Sequence, residues 1–234
     1  GVRKYFSIPA EVIEVNIIGT YNILESIKGN PNIKALVDFS TSEIYGSDCF
    51  NAREDDDAKM ENLSQKRWTY ATSKIANELM THTYNHLFKI KTIGLRFFTV
   101  YGPWGRPDMA YYIFCDKISK GEPINIFNNG NMKRDFTYID DIIEGTKAAI
   151  NKNYKCEIFN LGNNKSEKLM DMISIIEQNL NKKAIIDFQP IQPGDVIESY
   201  ADIDYSKEKL GYYPKTSIID GIPNFINWYK EYYN

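Results

Sequence analysis

The chain has 234 residues, 43% of them hydrophobic, enough to bury one large domain or roughly one and a half. A net charge of −3 from 28 basic and 31 acidic residues offers no field for nucleic acid or anionic lipid, and no apolar run nears the roughly 18 residues of a membrane span. Cys49, Cys115 and Cys156 form no C-x-x-C pair and suit a reducing, cytoplasmic compartment, which argues against a disulfide frame or metal site.

Gly1-Val2-Arg3-Lys4-Tyr5 carries no signal-peptide pattern and reads as the start of a piece cut from something longer. Over residues 9–28, Val12, Val15, Ile17, Ile18, Tyr21 and Leu24 recur at three and four behind Pro9, which predicts a helix broken at Asn30-Pro31-Asn32. The apolar run 35–39 predicts a parallel strand covered on both faces. Glu54-Asp55-Asp56-Asp57 reads as a solvated loop, because consecutive carboxylates point apart. Helices are predicted over 70–88, 111–120, 140–151, 166–181 and 216–232, with strands at 92–98, 124–127 and 156–162. Asp140 and Asp141 sit near the positive end of their helix. His82 and His86 are four apart but lack the intervening Glu of H-E-x-x-H, so no metal is expected. Helices alternating with short apolar strands indicate an α/β fold with a parallel sheet.

Tyr70-Ala71-Thr72-Ser73-Lys74 places a phenol and an ammonium four apart on one helix face. A lysine within a few ångström would lower the phenol pKa from its usual value of about 10 and make Tyr70 a proton acceptor. Alone the spacing is common. Upstream, Phe39-Ser40-Thr41-Ser42-Glu43-Ile44-Tyr45-Gly46 follows the first predicted strand, so its hydroxyls and carboxylate emerge where ligands of such sheets bind, although a capped turn has the same composition.

These two motifs in this order resemble the extended short-chain dehydrogenase/reductases, the NAD-dependent epimerase/dehydratase family. The likeness continues through Val15-Asn16-Ile17-Ile18-Gly19-Thr20, the segment 96–110, Arg134-Asp135-Phe136-Thr137-Tyr138-Ile139-Asp140-Asp141, Phe159-Asn160-Leu161-Gly162, Gln192-Pro193-Gly194-Asp195-Val196 and Tyr200-Ala201-Asp202. Segment 96–110 closely resembles the corresponding segment of UDP-glucuronate 4-epimerases. The resemblance implies a Rossmann-like doubly wound parallel sheet, with residues 1–103 as the remainder of the NAD-binding domain and 104–234 mainly a smaller nucleotide-sugar lobe that returns some segments to the sheet.

It also implies roles. Thr41, Tyr70 and Lys74 form the catalytic set. At the cofactor end Phe97 and Val100, largely through backbone, line the nicotinamide side with Ser40, Tyr70 and Lys74, and Asn16 supports the site from its helix. Thr41, Ser42, Thr99, Arg106, Phe127, Arg134 and Asp195 face the nucleotide sugar: Arg134 at the diphosphate, Asp195 at the uridine ribose, Phe127 on the uracil, Thr99 and Arg106 at a glucuronate carboxylate. For Arg134 a surface salt bridge to Asp135 or Asp141 is the alternative, and for Phe127 a place in the core.

Glu43 departs from the epimerase pattern. The Thr41-Ser42-Glu43 triplet is similar to that of GDP-mannose dehydratases and UDP-glucuronate decarboxylases, and a carboxylate beside the sugar ring would either repel an acidic substrate or act as a base at C5 after oxidation at C4. The expected activity is therefore NAD-dependent 4-epimerisation of UDP-glucuronate or a UDP-hexose through a 4-keto sugar, with dehydration or decarboxylation through Glu43 as the rival and a non-catalytic sugar-binding subunit as a third reading. The family's G-x-x-G-x-x-G phosphate turn is not in the sequence, and roughly 80 preceding residues are expected to carry it. Alone, the fragment is expected to expose a sheet edge and to fold poorly. The family commonly forms homodimers through two helices, here near 10–28 and 70–88.

Overall fold

The computed structural model describes residues 6–47, 49–192 and 195–233; Gly1–Tyr5, Pro193 and Gly194 of the motifs above lie outside them. The chain opens with a helical rod, α1, built from Pro9–Ile13, a π turn at Glu14–Ile18, and Gly19–Ile27. Three parallel strands follow in the order β1 (Leu36–Thr41), β2 (Thr92–Phe97), β7 (Cys156–Leu161), with Thr41 level with Phe97 and Phe97 with Leu161. Helix α2 (Thr69–Phe88) crosses between β1 and β2 and packs on both. The α/β class with parallel strands is as expected.

β1 is less covered than predicted. It stands at the edge of the sheet, so Phe39 is 53% exposed and only Ser40 and Thr41 are buried. β2 lies between two strands, and Thr92, Ile93, Leu95 and Arg96 are all buried.

Beyond β2 the chain forms short parallel pairs. β3 (Thr99–Tyr101) pairs with β6 (Phe136–Tyr138), and β4 (Pro123–Phe127) with β9 (Ile185–Gln189). α3 (Ala110–Lys120) joins β3 to β4, and α4 (Ile139–Asn151) joins β6 to β7. The two-residue strands β5 (Lys133–Arg134), β8 (Glu167–Lys168) and β10 (Glu198–Ser199) make a small ribbon, so the helix expected from Ser166 begins only at Leu169 as α5 (Leu169–Leu180). Pairing of Glu167 and Lys168 with β5 takes up the backbone that the helical pattern would otherwise use. α6 (Asp204–Leu210) and α7 (Ile218–Tyr233) complete the chain.

Two cores result. Ile93, Leu95, Phe159, Leu161 and Ile142 pack beneath the three-stranded sheet. Tyr101, Tyr111, Ile118, Ile124, Ile173 and Phe225 pack where α3, α5 and α7 meet. Among the described residues no helix is long and apolar enough to cross a membrane, and no cluster of metal-ligating side chains exists. His82 instead lies 3.5 Å from the Cys156 sulfur.

Asp55, Asp56 and Asp57 are exposed as expected, but Glu54 is not part of the solvated loop. Its Oε1 accepts the backbone N–H of Asn160 at 2.8 Å, tying the loop to the end of β7, and burial raises its pKa.

Candidate active site

The carboxyl ends of β1 and β2 open into a cavity of about 900 Å³. Ser40, Thr41, Ser42 and Glu43 line it from the end of β1, Arg67, Trp68 and Tyr70 from the start of α2, and Phe97, Thr99, Val100 and Arg106 from β2, β3 and the loop beyond. Arg134 of β5 and Val196 and Ser199 near β10 close the far side. Ligands of open parallel sheets bind at this end, where diverging loops leave space.

Thr41 sits where extended β1 turns into a 3₁₀ turn at Ser42–Tyr45, and its Oγ1 accepts the Glu43 N–H at 3.3 Å. The capped-turn reading and the functional one therefore describe the same residue, because the Thr41 side chain also hydrogen-bonds Tyr70. Asn16 projects from the π turn of α1 and donates to the Ser73 hydroxyl at 2.8 Å, which donates to the Tyr70 carbonyl at 2.7 Å. Asn16 thus braces the turn that carries Tyr70 from behind and does not line the cavity. A π turn within a longer helix re-aims side chains in this way.

Lys74 is not where the phenol-tuning argument needs it. Its ammonium donates to the Phe39 carbonyl at 2.7 Å and lies 3.8 Å from Asp38 Oδ1. Tyr70 is instead governed by burial, with the Glu43 charge second, and its pKa is pushed up to about 12 against the Thr41 hydrogen bond and Arg106. The expected lowering by Lys74 is overturned, because desolvation disfavours the phenolate and Lys74 faces the strand.

Ser40 lines the cavity, but its hydroxyl is committed to Glu78 Oε1 at 2.5 Å. Phe97 packs edge-on against Phe39 with ring centres 5.0 Å apart. Arg106 meets Asp108 at 3.2 Å, and the pair is largely exposed. Arg134 bonds the carbonyls of Lys133 and Ile197 at 2.8 and 3.3 Å and feels Asp195; burial lowers its pKa. The salt-bridge alternative fails for both acids. Asp141 accepts the N–H groups of Lys215 and Thr216, while Asp135 accepts from Asn163, Asn164, Ala201 and Thr137. Phe127, half-buried at the end of β4, does not line the cavity, and neither does Asp195.

Two features escaped the sequence reading. Arg67, three residues before Tyr70, pairs with Glu43 Oε2 at 3.3 Å. The only available signal was that Glu43, if buried, required a cation. Beneath the cavity, Arg96 bonds Glu78 through two contacts, Tyr45 and the Glu54 carbonyl. Nothing in the spacing of those residues announces the network.

Comparison with known proteins places this geometry. The profile of the NAD dependent epimerase/dehydratase family matches residues 1–162. An uncharacterized protein of Methanocaldococcus jannaschii is 47% identical over 231 residues, 99% of this chain and 69% of its own length. UDP-glucuronate 4-epimerase 4 of Arabidopsis thaliana is 39% identical over 251 residues, covering 100% of this chain and 56% of that one. The crystal structure of UDP-glucuronic acid 4-epimerase from Bacillus cereus, in complex with UDP-glucuronic acid and NAD, superposes with a TM-score of 0.87 at 34% identity, over 94% of this chain and 69% of that one. By sequence match and fold, the chain belongs to the NAD dependent epimerase/dehydratase family of extended short-chain dehydrogenase/reductases.

Proposed function

We propose that the chain provides the catalytic and sugar-binding residues of an NAD-dependent UDP-sugar 4-epimerase, with UDP-glucuronate as the substrate and a UDP-hexose as the alternative. The observation that carries this reading is that Thr41, Tyr70 and Arg106 face one cavity, a proton acceptor with its orienting hydroxyl on one side and a carboxylate receptor on the other. The UDP-glucuronate 4-epimerase relatives support the same substrate.

The residues present fit the nicotinamide–ribose end of NAD. Among the described residues Asp38 Oδ2 is buried with no hydrogen-bond partner, and the Lys74 ammonium, 3.8 Å from Oδ1, is the group that would reach a ribose hydroxyl. Phe97 and Val100 offer an apolar wall for a flat ring. Bound NAD would supply the hydride acceptor and, when oxidised, a positive charge.

In this reading Thr41 orients the C4 hydroxyl, and Tyr70 Oη takes its proton as C4 becomes a transient ketone. Tyr70 returns the proton after the sugar has turned over. Arg134 holds the diphosphate as a charge-assisted donor, Asp195 the uridine ribose, and Thr99 with Arg106 the C6 carboxylate. Ser42 lies along the sugar. Residues 1–103 then carry the cofactor end and catalytic helix, and 104–234 mainly the sugar lobe. Exposed Ile13, Val15, Ile18 and Tyr21 of α1 with Leu79 and Leu87 of α2 support a homodimer through these helices.

A second reading, loss of water or carbon dioxide with Glu43 as base, is favoured by one observation: Glu43 lines the same cavity close enough to influence Tyr70. Mass spectrometry of the NAD-loaded protein with a panel of nucleotide sugars separates them. An epimer keeps its mass, a dehydratase product is lighter by one water, and a decarboxylase product is a pentose. Unchanged mass and configuration for every sugar overturns both.

A further inference from the structure

Among the residues lining the cavity, the charges do not balance. Arg67, Arg106 and Arg134 face Glu43 and Asp140. Burial raises the Glu43 pKa against the field of all three arginines, and among the described residues its ion-pair contact is with Arg67, through Nη1 at 3.3 Å, in a pair whose side chains are 12% and 25% exposed. Arg106 is turned to Asp108, and Arg134 to the carbonyls of Lys133 and Ile197. Arg67 also lies over the ring of Trp68, 5.7 Å from its centre, which restricts where its guanidinium can go. This arrangement bears on the sugar end of the cavity. Asp108 holds Arg106 only in a largely exposed pair that a ligand can displace, whereas Glu43 lines the cavity itself and its charge interacts with Arg106, so it is the cavity carboxylate that competes with a sugar carboxylate there.

We infer that Arg67 is a specificity-determining positioning residue: by holding the Glu43 carboxylate it leaves Arg106 available to an acidic sugar, and so selects a UDP-uronate over its neutral analogue. The inference rests on the UDP-sugar reading above and names the substrate class within it. Arg67 does not touch the reacting carbon in this scheme. It acts by occupying Glu43, and the same contact withholds Glu43 from proton transfer at C5. Loss of Arg67 frees Glu43 to recruit Arg106 across the cavity, and a second carboxylate then meets a filled receptor and an uncompensated negative charge. A neutral hexose has no such competitor and is little affected.

The test uses the NAD-loaded full-length protein, with dissociation constants for UDP-glucuronate and UDP-glucose measured by calorimetry. Arg67→Met weakens UDP-glucuronate roughly tenfold, the size of one lost charge-assisted contact, and UDP-glucose less than about twofold. The Glu43→Gln/Arg67→Met double variant recovers the preference, because the competing carboxylate has gone with the residue that restrained it. Arg67→Lys, which keeps the charge but not the planar fork, falls between. If Arg67→Met does not fold, Glu43→Gln alone decides: it binds UDP-glucuronate at least as tightly as the parent. Equal weakening of both sugars, failure of the double variant to recover, or a selective loss in Glu43→Gln overturns the inference. Turnover is read separately. A parent protein that prefers UDP-glucuronate but leaves both sugars unchanged overturns the epimerase reading alone, and one that epimerises without preferring the acidic sugar overturns this inference alone.

Discussion

Arg96 and Glu78 are joined by two hydrogen bonds, Nε to Oε1 at 3.1 Å and Nη2 to Oε2 at 2.8 Å, with both side chains less than a tenth exposed. The pair locks the middle of α2 to β2. It also reaches the cavity floor, because Glu78 accepts the Ser40 hydroxyl and Arg96 donates to Tyr45, whose own hydroxyl donates to Asn160 at 2.7 Å.

Removing one partner leaves a buried charge uncompensated. Glu78→Gln and Arg96→Met are each expected to lower the unfolding free energy by about 3–5 kcal/mol, read from urea denaturation. The joint replacement of both by apolar residues costs less than the sum of the single changes.

Tyr70→Phe removes the proposed proton acceptor while keeping the ring. Turnover falls about 10²–10⁴-fold, while loss of the hydrogen bond with the Thr41 side chain lowers the unfolding free energy by only about 0.5–1.5 kcal/mol. Undiminished turnover would refute the catalytic assignment.

The pH dependence of turnover follows from the same residue. Burial and Glu43 push the Tyr70 pKa up to about 12, so the phenolate is scarce at neutral pH. Below that pKa the phenolate fraction grows about tenfold per pH unit, and kcat/KM of the parent rises with pH through the neutral range. Glu43→Gln removes a negative charge beside the phenol and shifts this rise to lower pH. A profile that is flat in both proteins speaks against Tyr70 as the base.

Asp135 is buried and accepts four donors, Thr137 Oγ1 and Asn163 N–H on Oδ1, Asn164 and Ala201 N–H on Oδ2. Asp135→Asn turns an NH₂ toward two of them and is expected to cost about 3 kcal/mol in unfolding free energy. Burial raises the folded pKa to about 6 from 3.8, so the folded state binds more protons between these values. The contribution to stability is therefore full below the ordinary value and is lost as pH rises through about 6. The variant lacks this slope, which unfolding at pH 4, 5, 6 and 7 would detect.

Gly221 in α7 has no room for a side chain. A Cβ there would stand 2.2 Å from the Tyr101 hydroxyl and 2.8 Å from its ring, and Tyr101 is 1% exposed. Gly221→Ala is expected to destabilise by about 1–3 kcal/mol, with partial recovery when combined with Tyr101→Phe. Thermal unfolding of the three variants checks both parts.

Local patterns in the sequence were enough for the long elements and the motif. The three-and-four spacing of Val12, Val15, Ile18 and Tyr21 marked α1, apolar runs marked β1, β2 and β7, and Tyr70 with Lys74 marked the helix turn proposed to be catalytic, because each signal lies within a few residues of chain. What only the tertiary structure decided depends on groups far apart in sequence. Short strands β5, β8 and β10 exist through their partners and carry too few residues to show a period. Arg67 meets Glu43 across 24 residues and Arg96 meets Tyr45 across 51, contacts set by how strand ends converge at the sheet's carboxyl edge. The Tyr70–Lys74 spacing shows that the two share a helix face. It does not show that Lys74 turns to Phe39 and Asp38, or that desolvation controls the phenol, because burial and field belong to the packed molecule.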